Sequence, residues 1–498
     1  GNTQKPTTDS LATQPVLLGA WGAIFNSGTL TLQSSLVTQN TAEGGNASGG
    51  GISSSQGTLV IENSQVNDNT AVSSDQGAFG GGISTTQDQV TIINSTIEGN
   101  QVSGGSIVTS GGGIYSQQST IEMRNSTVSG NSVDARTSAR GGFGGGIAVN
   151  GGNVTITGSH LSHNTVRGTL VSGGGLYSQS LDAPNGGVVT VGNVTINTSI
   201  VSSNTVTGTG GALGGGLAAG SGSLTLTTTT ITHNVLNSSQ RLAKGGGIFS
   251  AATSTIDEST IADNTATAPA AQYGAIGGGI DAQGTLILTR TTISANSANS
   301  QEGLGAGGGI FAEQTSSATE HLSLTNCTIA DNKAQGSPGV GGGFSTDTNP
   351  NSGISIDFCT ISGNLASTRA GGINGDAAGT PVALTLVLKN SLVAGNLAGT
   401  GSDLYGTLVT GGYNLVQRFT GATIDDPLHL HTTDISGNSI GIDTQLRANG
   451  GPTLTLALQV GSPAMNAVPV ANCDVTTDQR GVKRPQHSVC DIGAYEYI

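Results

Sequence analysis

The sequence predicts an all-β fold: a right-handed, single-stranded parallel β-helix of about twelve coils with a small C-terminal β-rich cap module. Three observations carry this expectation. A glycine triplet followed by a large apolar residue recurs along most of the chain. A motif closing on asparagine keeps step with it, and a short run of alternating residues lies between the two.

The apolar residue after the triplet is Ile52, Ile83, Ile114, Ile147, Leu176, Leu217, Ile248, Ile280, Ile310 and Phe344, with degenerate copies at Ile24 and Ile373. The mean spacing is about 32 residues, the signature of a stacked repeat. The second motif reads Asn-Ser-Thr-Ile-x-Gly-Asn in its fullest form, at 94–100. Its closing residues are Asn40, Asn69, Asn100, Asn131, Asn164, Asn204, Asn234, Asn264, Asn296, Asn332, Asn364 and Asn396. The third element alternates, as in Thr29-Leu30-Thr31-Leu32, Val154-Thr155-Ile156 and Leu384-Thr385-Leu386. Each repeat thus holds three short segments of strand character. None can bury a face alone, and stacking supplies the partner. Antiparallel sandwiches need a hairpin turn at every second strand, and three motifs recurring in step oppose that.

Alternation also sets the interior. Ile97 belongs to a column with Val66, Val128, Leu161, Val201, Ile231, Ile261, Ile293, Ile329, Ile361 and Val393, all aliphatic. The twelve asparagines form a second column at a turn. They are read as a structural ladder, because asparagine tolerates left-handed turns and stacked amides hydrogen-bond along a ladder. The glycines let the backbone bend and pack closely. Before the triplets, Phe79, Phe143, Leu213, Ile276 and Val340 form an intermittent apolar column, read as extra packing at a corner and not as a ligand groove.

Composition narrows the function. Of 498 residues, 82 are Gly, only 9 % are charged and 3 % aromatic, and the net charge is −14. That excludes a basic nucleic-acid footprint or a base-stacking platform. No apolar run reaches the ~18 residues a membrane-spanning helix needs. The segments between asparagine and triplet vary in length and carry Arg136, Arg140, Arg167, Arg241, Lys244 and Tyr273. The longest repeat inserts Leu181-Asp182-Ala183-Pro184-Asn185-Gly186. Such loops either carry binding surfaces or drift freely.

No catalytic constellation emerges. Glycosidase chemistry needs paired carboxylates on one face, and no coil shows two or three Asp at alternating strand positions. Asp68, Asp263 and Asp331 share a register but not adjacent coils. His163 and His233 share a register two rungs apart, about 10 Å, too far for joint ligation. His429, His431 and Asp434 form a loose cluster read as loop residues. Gly303, Gly305 and Gly308 fit a dinucleotide spacing, but no helical pattern follows. No metal, cofactor or catalytic residue is expected.

Four cysteines remain. Cys327 and Cys359 occupy one motif position a coil apart, where Ser is usual, and stack as a disulfide or as a reduced pair. Cys473 and Cys490 lie in a turn-rich segment; a bridge there staples the module and implies an oxidising compartment.

After Asn396 the triplets stop, dividing the chain into an extended segment 1–20, the repeats 21–400 and a module 401–498. The tail contains Gly412-Tyr413-Asn414-Leu415, Asn449-Gly450-Gly451-Pro452-Thr453, Gly461-Ser462-Pro463-Ala464, Asp478-Gln479-Arg480-Gly481, Arg484-Pro485 and Cys490-Asp491-Ile492-Gly493-Ala494-Tyr495-Glu496. These motifs resemble the choice-of-anchor Q module that ends bacterial surface β-helix proteins. The repeats resemble those of the pectate-lyase-like superfamily and of polymorphic outer-membrane proteins. The resemblance implies an extracellular or cell-surface protein and supplies no catalytic residues that map here. No signal peptide precedes Gly1 and no anchor follows Ile498, so a mature, processed form is expected. The leading functional expectation is a non-enzymatic rod that assembles head to tail with itself into a surface fibre, sheath or layer, through Val16, Leu17, Leu18 and Trp21. The alternatives are a monomeric adhesin binding cell-surface glycans, and a polysaccharide lyase or hydrolase.

Overall fold

The computed structural model describes residues 3–4, 19–180, 192–269, 274–313, 321–347, 353–375, 385–426, 429, 431–437 and 439–498. The fold is an all-β parallel β-solenoid of about 11 turns. The helical segments described are the 3-10 turns His431–Thr433 and Val470–Asn472. The chain divides into two compact units. Unit 1 is Gly1–Thr225 with Ile231–Arg241, and unit 2 is Leu226–Thr230 with Leu242–Ile498. The insertion 181–186, Tyr273 and Val16, Leu17 and Leu18 lie outside the described residues.

In unit 1 each coil contributes to three parallel sheets. Sheet I holds the strands after the triplet, such as Ile83–Thr86 and Gln89–Ile93. Sheet II holds the short strand before the closing asparagine, such as Thr96–Glu98. Sheet III holds the strands leading into the next triplet, such as Thr70–Ser73 and Gly77–Phe79. Register is in phase: Ile52, Ile83, Ile114, Ile147, Leu176 and Leu217 pair rung by rung. So do Val37, Val66, Ile97, Val128, Leu161 and Val201. From Val66 to Val201 that second column is fully buried. Thr3 and Gln4 pair in parallel with Thr41 and Ala42 of the same chain.

Within each unit the asparagines form a hydrogen-bonded stack. In the middle of unit 1, Asn100 Nδ2 donates to Asn131 Oδ1 at 2.9 Å and Asn131 Nδ2 to Asn164 Oδ1 at 3.0 Å. Each Nδ2 also donates to a backbone carbonyl, Asn131 to that of Ile97 at 2.9 Å. The left-handed conformation belongs to the residue before the asparagine, at Asp68, Gly99, Gly130 and His163, so the asparagine is free to point inward as an amide. The triplet serves this stack directly. Gly80 has φ +61°, and a Cβ on Gly81 would meet the carbonyl of Gly112 at 2.4 Å. A Cβ on Gly82 would sit 2.9 Å from Asn100 Cγ. The third glycine therefore makes room for the ladder amide.

Unit 2 repeats the plan. Ile248, Ile280, Ile310, Phe344 and Ile373 pair in register, and Leu404 continues the column. Parallel pairing runs past residue 400, through Leu415–Val416 to Ile435–Ser436. Asp403 ends the ladder: its Oδ1 accepts both Asn396 N at 3.2 Å and Asn396 Nδ2 at 3.0 Å. A carboxylate suits that terminus, because the preceding amide needs only an acceptor.

The residues after 440 run along the outer face of sheet II in unit 2. Outward-facing Thr292, Thr328 and Thr360 are buried there. Gln479 Nε2 donates to Thr292 Oγ1 at 2.8 Å, Thr328 Oγ1 donates to Gln479 Oε1 at 2.5 Å, and Ala494 N to Thr360 Oγ1 at 3.0 Å. The β-structure of this segment consists of isolated antiparallel bridges. Cys473 and Cys490, 17 positions apart, are joined by a disulfide.

One contact of this segment responds to pH. Lys389 Nζ meets Asp474 Oδ2 at 2.6 Å, and Asn390 Nδ2 donates to Asp357 Oδ1 at 3.1 Å and to the Asn472 carbonyl at 3.1 Å. Burial, then the charge of Asp474, push the Asp357 carboxyl up to about 7. A carboxyl that holds its proton more tightly when folded stabilises fully below its unfolded pKa of 3.8, and that contribution is lost as pH rises through 7. The difference is on the order of 4 kcal/mol at most. Denaturant midpoints should fall from pH 5 to pH 8, and Asp357→Asn should flatten that fall. An unchanged slope in the variant would refute the assignment.

Candidate functional site

Sheets I and III meet at a corner that carries two facing columns of side chains. One is the residue before each triplet, on sheet III. The other is the residue after each column aliphatic, on sheet I. In unit 1 bulky and small residues alternate along both columns, out of phase. Phe79, Ser110, Phe143, Ser172 and Leu213 follow one another on sheet III. Ser84, Tyr115, Ala148, Tyr177 and Ala218 follow on sheet I. Each phenylalanine therefore meets a tyrosine of the next coil. Phe79 lies against Tyr115 and Phe143 against Tyr177, each with ring centroids 4.7 Å apart. Apolar burial and ring contact close the corner. Amides secure the tyrosine hydroxyls: Asn150 Nδ2 donates to Tyr115 Oη at 3.1 Å, and Tyr177 Oη donates to Gln179.

On sheet I, unit 2 begins with the same alternation of ring and small residue. Sheet III presents Lys244, Ile276, Ala306, Val340 and Arg369. Sheet I presents Phe249, Asp281, Phe311, Ser345, Asn374 and Tyr405. Ile276, Ala306, Phe311 and Val340 pack into one buried cluster. The next ring in phase with Phe249 and Phe311 falls at position 374, where Asn stands. Where that ring would lie, the corner opens into a cavity of about 250 Å³. Ile276, Leu304, Phe311 and Val340 line it on the apolar side, with Glu313, Asp347, Arg369 and Asn374 among its polar lining. Ile276 and Val340 thus line a pocket, where the sequence reading made their column only packing.

The rim is charged. Glu313 and Asp347 are register partners on adjacent strands. Lys244 Nζ contacts both Glu313 oxygens, at 2.5 and 2.6 Å, and Gln283 donates to the same carboxylate. Arg369 lies over the Tyr405 ring at 5.2 Å. Its Nε is buried with no hydrogen-bond partner among the described residues. Asp281, fully buried in the sheet I column, has no hydrogen-bond partner for either oxygen among the described residues. Burial first, then the charge of Glu313, hold its carboxyl well above the usual carboxylate range.

This cluster is invisible within any single coil of the sequence. Asp281, Glu313 and Asp347 come one per coil. Gln283, Glu313 and Asp347 each stand third after the column aliphatic, an offset readable in the sequence once coils are aligned.

The other singled-out residues disperse. His163 and His233 are exposed at separate turns. His431 Nδ1 lies 3.0 Å from Asp434 Oδ2, but Asp434 also accepts from Thr410 and Asn414 and so is engaged in structural hydrogen bonds. No group of three or more His, Cys, Asp or Glu among the described residues is placed to hold a metal. Gly305 and Ala306 form a strand. Cys327 and Cys359 are buried free thiols, and burial raises the Cys359 thiol. Trp21 is 45 % exposed and packs on Phe25.

No protein-family model and no curated protein matches the chain. Among solved structures, the chain is similar at 15 % identity to the TibC-catalyzed hyper-glycosylated TibA55-350 fragment. That match covers 83 % of this chain and 100 % of the fragment, with a TM-score of 0.18.

Proposed function

We propose that this protein is an extracellular, adhesin-like β-solenoid whose regular coils are a scaffold for one recognition site, the corner cavity of unit 2. The observation that carries this reading is the placement of Asn374 where the alternation calls for a ring, with Arg369 beside it where the facing column calls for a small residue. A purely structural corner is completed by apolar burial, as unit 1 shows at Phe79 and Phe143. Here a half-buried guanidinium and an amide border an open apolar floor, the make-up of a small-ligand site. The Cys473–Cys490 bridge supports an oxidising, extracellular setting. Cell-surface glycans that carry a small apolar substituent able to enter the cavity are the partner class this reading favours. The test is a glycan-array screen with the intact protein and with Asn374→Tyr. The intact protein is expected to bind a subset of glycans and the filled variant to lose at least tenfold in signal. Equal binding by both overturns the cavity as the recognition site.

The fibre reading keeps one specific support. Trp21, Phe25 and Leu36 in the first coil are 45, 56 and 62 % exposed. Among the described residues, Thr29–Gln33 and Leu36–Thr38 pair on one side only. An apolar, half-paired edge is a template for another chain. Filaments in electron micrographs of the concentrated protein would favour this reading.

A further inference from the structure

We infer that the unit 2 cavity takes a carboxylate carried on a small apolar body the size of one aromatic ring. This rests on the reading of the cavity as the recognition site and specifies its ligand.

The shape comes from the alternation. Phe311 fills the corner between Ile276 and Val340, and Asn374 leaves the next filling position vacant beside Val340 and Ser345. A volume of about 250 Å³ accepts one ring or a short branched chain and excludes anything of drug size. The body entering it must be apolar, because Ile276, Leu304, Phe311 and Val340 offer no hydrogen bonds to replace those of water.

The charge comes from Arg369. Its guanidinium is held over Tyr405, and its Nε–H, buried at the cavity wall, has no acceptor among the described residues. A buried unpaired donor is costly, and a carboxylate can meet it in the planar geometry guanidinium prefers. Of the two acids on the rim, Glu313 is engaged by Lys244 and Gln283. Asp281 is buried in the coil before Phe311 and is not among the residues that line the cavity. Asp347 is the competing group. If it set the ligand's charge, the cavity would take a cation instead.

The experiment uses three probes of one shape: benzoate, benzylamine and benzyl alcohol, titrated into the full chain by calorimetry and by two-dimensional NMR of the Ile276, Phe311 and Val340 signals. Benzoate is expected to bind at least tenfold more tightly than either other probe. Arg369→Gln should weaken benzoate at least tenfold and leave benzyl alcohol within threefold. Asn374→Tyr should abolish binding of all three. Arg369 is half-exposed, so its variant tests the charge even if the filled variant does not fold. Benzylamine binding as well as benzoate, absence of benzoate shifts at the cavity residues, or benzoate affinity unchanged by Arg369→Gln each overturns the inference. The two readings fail separately. Glycan binding lost in Asn374→Tyr without benzoate binding sinks the ligand class alone. Benzoate binding with an empty glycan array sinks the adhesin reading and leaves the ligand class standing.

Discussion

Alanine at Asn131 should destabilise unit 1 by roughly 3–5 kcal/mol, although the substitution removes no charge and little volume. The side chain is fully buried. Its Oδ1 accepts from Asn100 N at 3.0 Å and from Asn100 Nδ2 at 2.9 Å. Its Nδ2 donates to the Ile97 carbonyl and to Asn164 Oδ1. Truncation strands partners on both neighbouring coils, and each buried unsatisfied group costs about 1–3 kcal/mol. Relaxation recovers part of that sum. The effect is local, because each solenoid coil contacts only its neighbours. Hydrogen exchange is therefore the sharper readout: the amides of Asn100, whose N–H donates to Asn131 Oδ1, and its immediate neighbours should lose protection by two or more orders of magnitude, while those near Leu217 keep theirs. A urea midpoint within error of wild type, with those amides still protected, would show that the stack contributes little.

The second large effect is expected at Arg484, at the other end of the chain. Its side chain is buried over the Phe358 ring, 4.5 Å from the centroid. Nη1 donates to the Asp491 carbonyl at 2.7 Å and lies 3.3 Å from Glu496 Oε2, while Nη2 donates to the Gly493 carbonyl at 2.5 Å. Arg484→Ala leaves Glu496 buried without its cation, a loss of about 3–5 kcal/mol. Gly493 N in turn donates to the Asn390 carbonyl at 2.8 Å, so the arginine also holds the segment against sheet II. The variant should become sensitive to limited proteolysis between 440 and 498, with the strands from Ile248 to Val393 still resistant. Arg484→Lys keeps the charge but not the fork and should recover only part of the resistance. Wild-type resistance in the alanine variant would refute the role.

Most of the solenoid was legible because its signals are one-dimensional. The constant three-residue offset from the column aliphatic to the closing asparagine, as from Ile97 to Asn100 and from Val128 to Asn131, locates both columns, and burial follows from alternation. The site was not legible in the same way. Its alternation appears only when two columns on different sheets are compared, and the segments separating them vary in length. Asn374 is unremarkable in the sequence; it stands out only because Phe249 and Phe311 precede it in phase. Nor could the lateral course of the C-terminal segment be read. Gln479 stands out in the sequence only for the motif it belongs to, and its partners Thr292 and Thr328 lie more than a hundred residues upstream and look like any other strand threonine.

The corner alternation also constrains how such a chain can grow or shrink. A solenoid is usually pictured as a stack from which any single layer can be duplicated or removed. Here, excising one layer between Phe79 and Tyr177 would bring bulky against bulky on one wall and small against small on the other. The first is overpacked and the second leaves a void, and both are destabilising. Layers can be exchanged without that penalty only as consecutive couples. The heritable module is therefore the double turn, and single-layer differences among related chains should coincide with places where the rings are missing, as at Asn374.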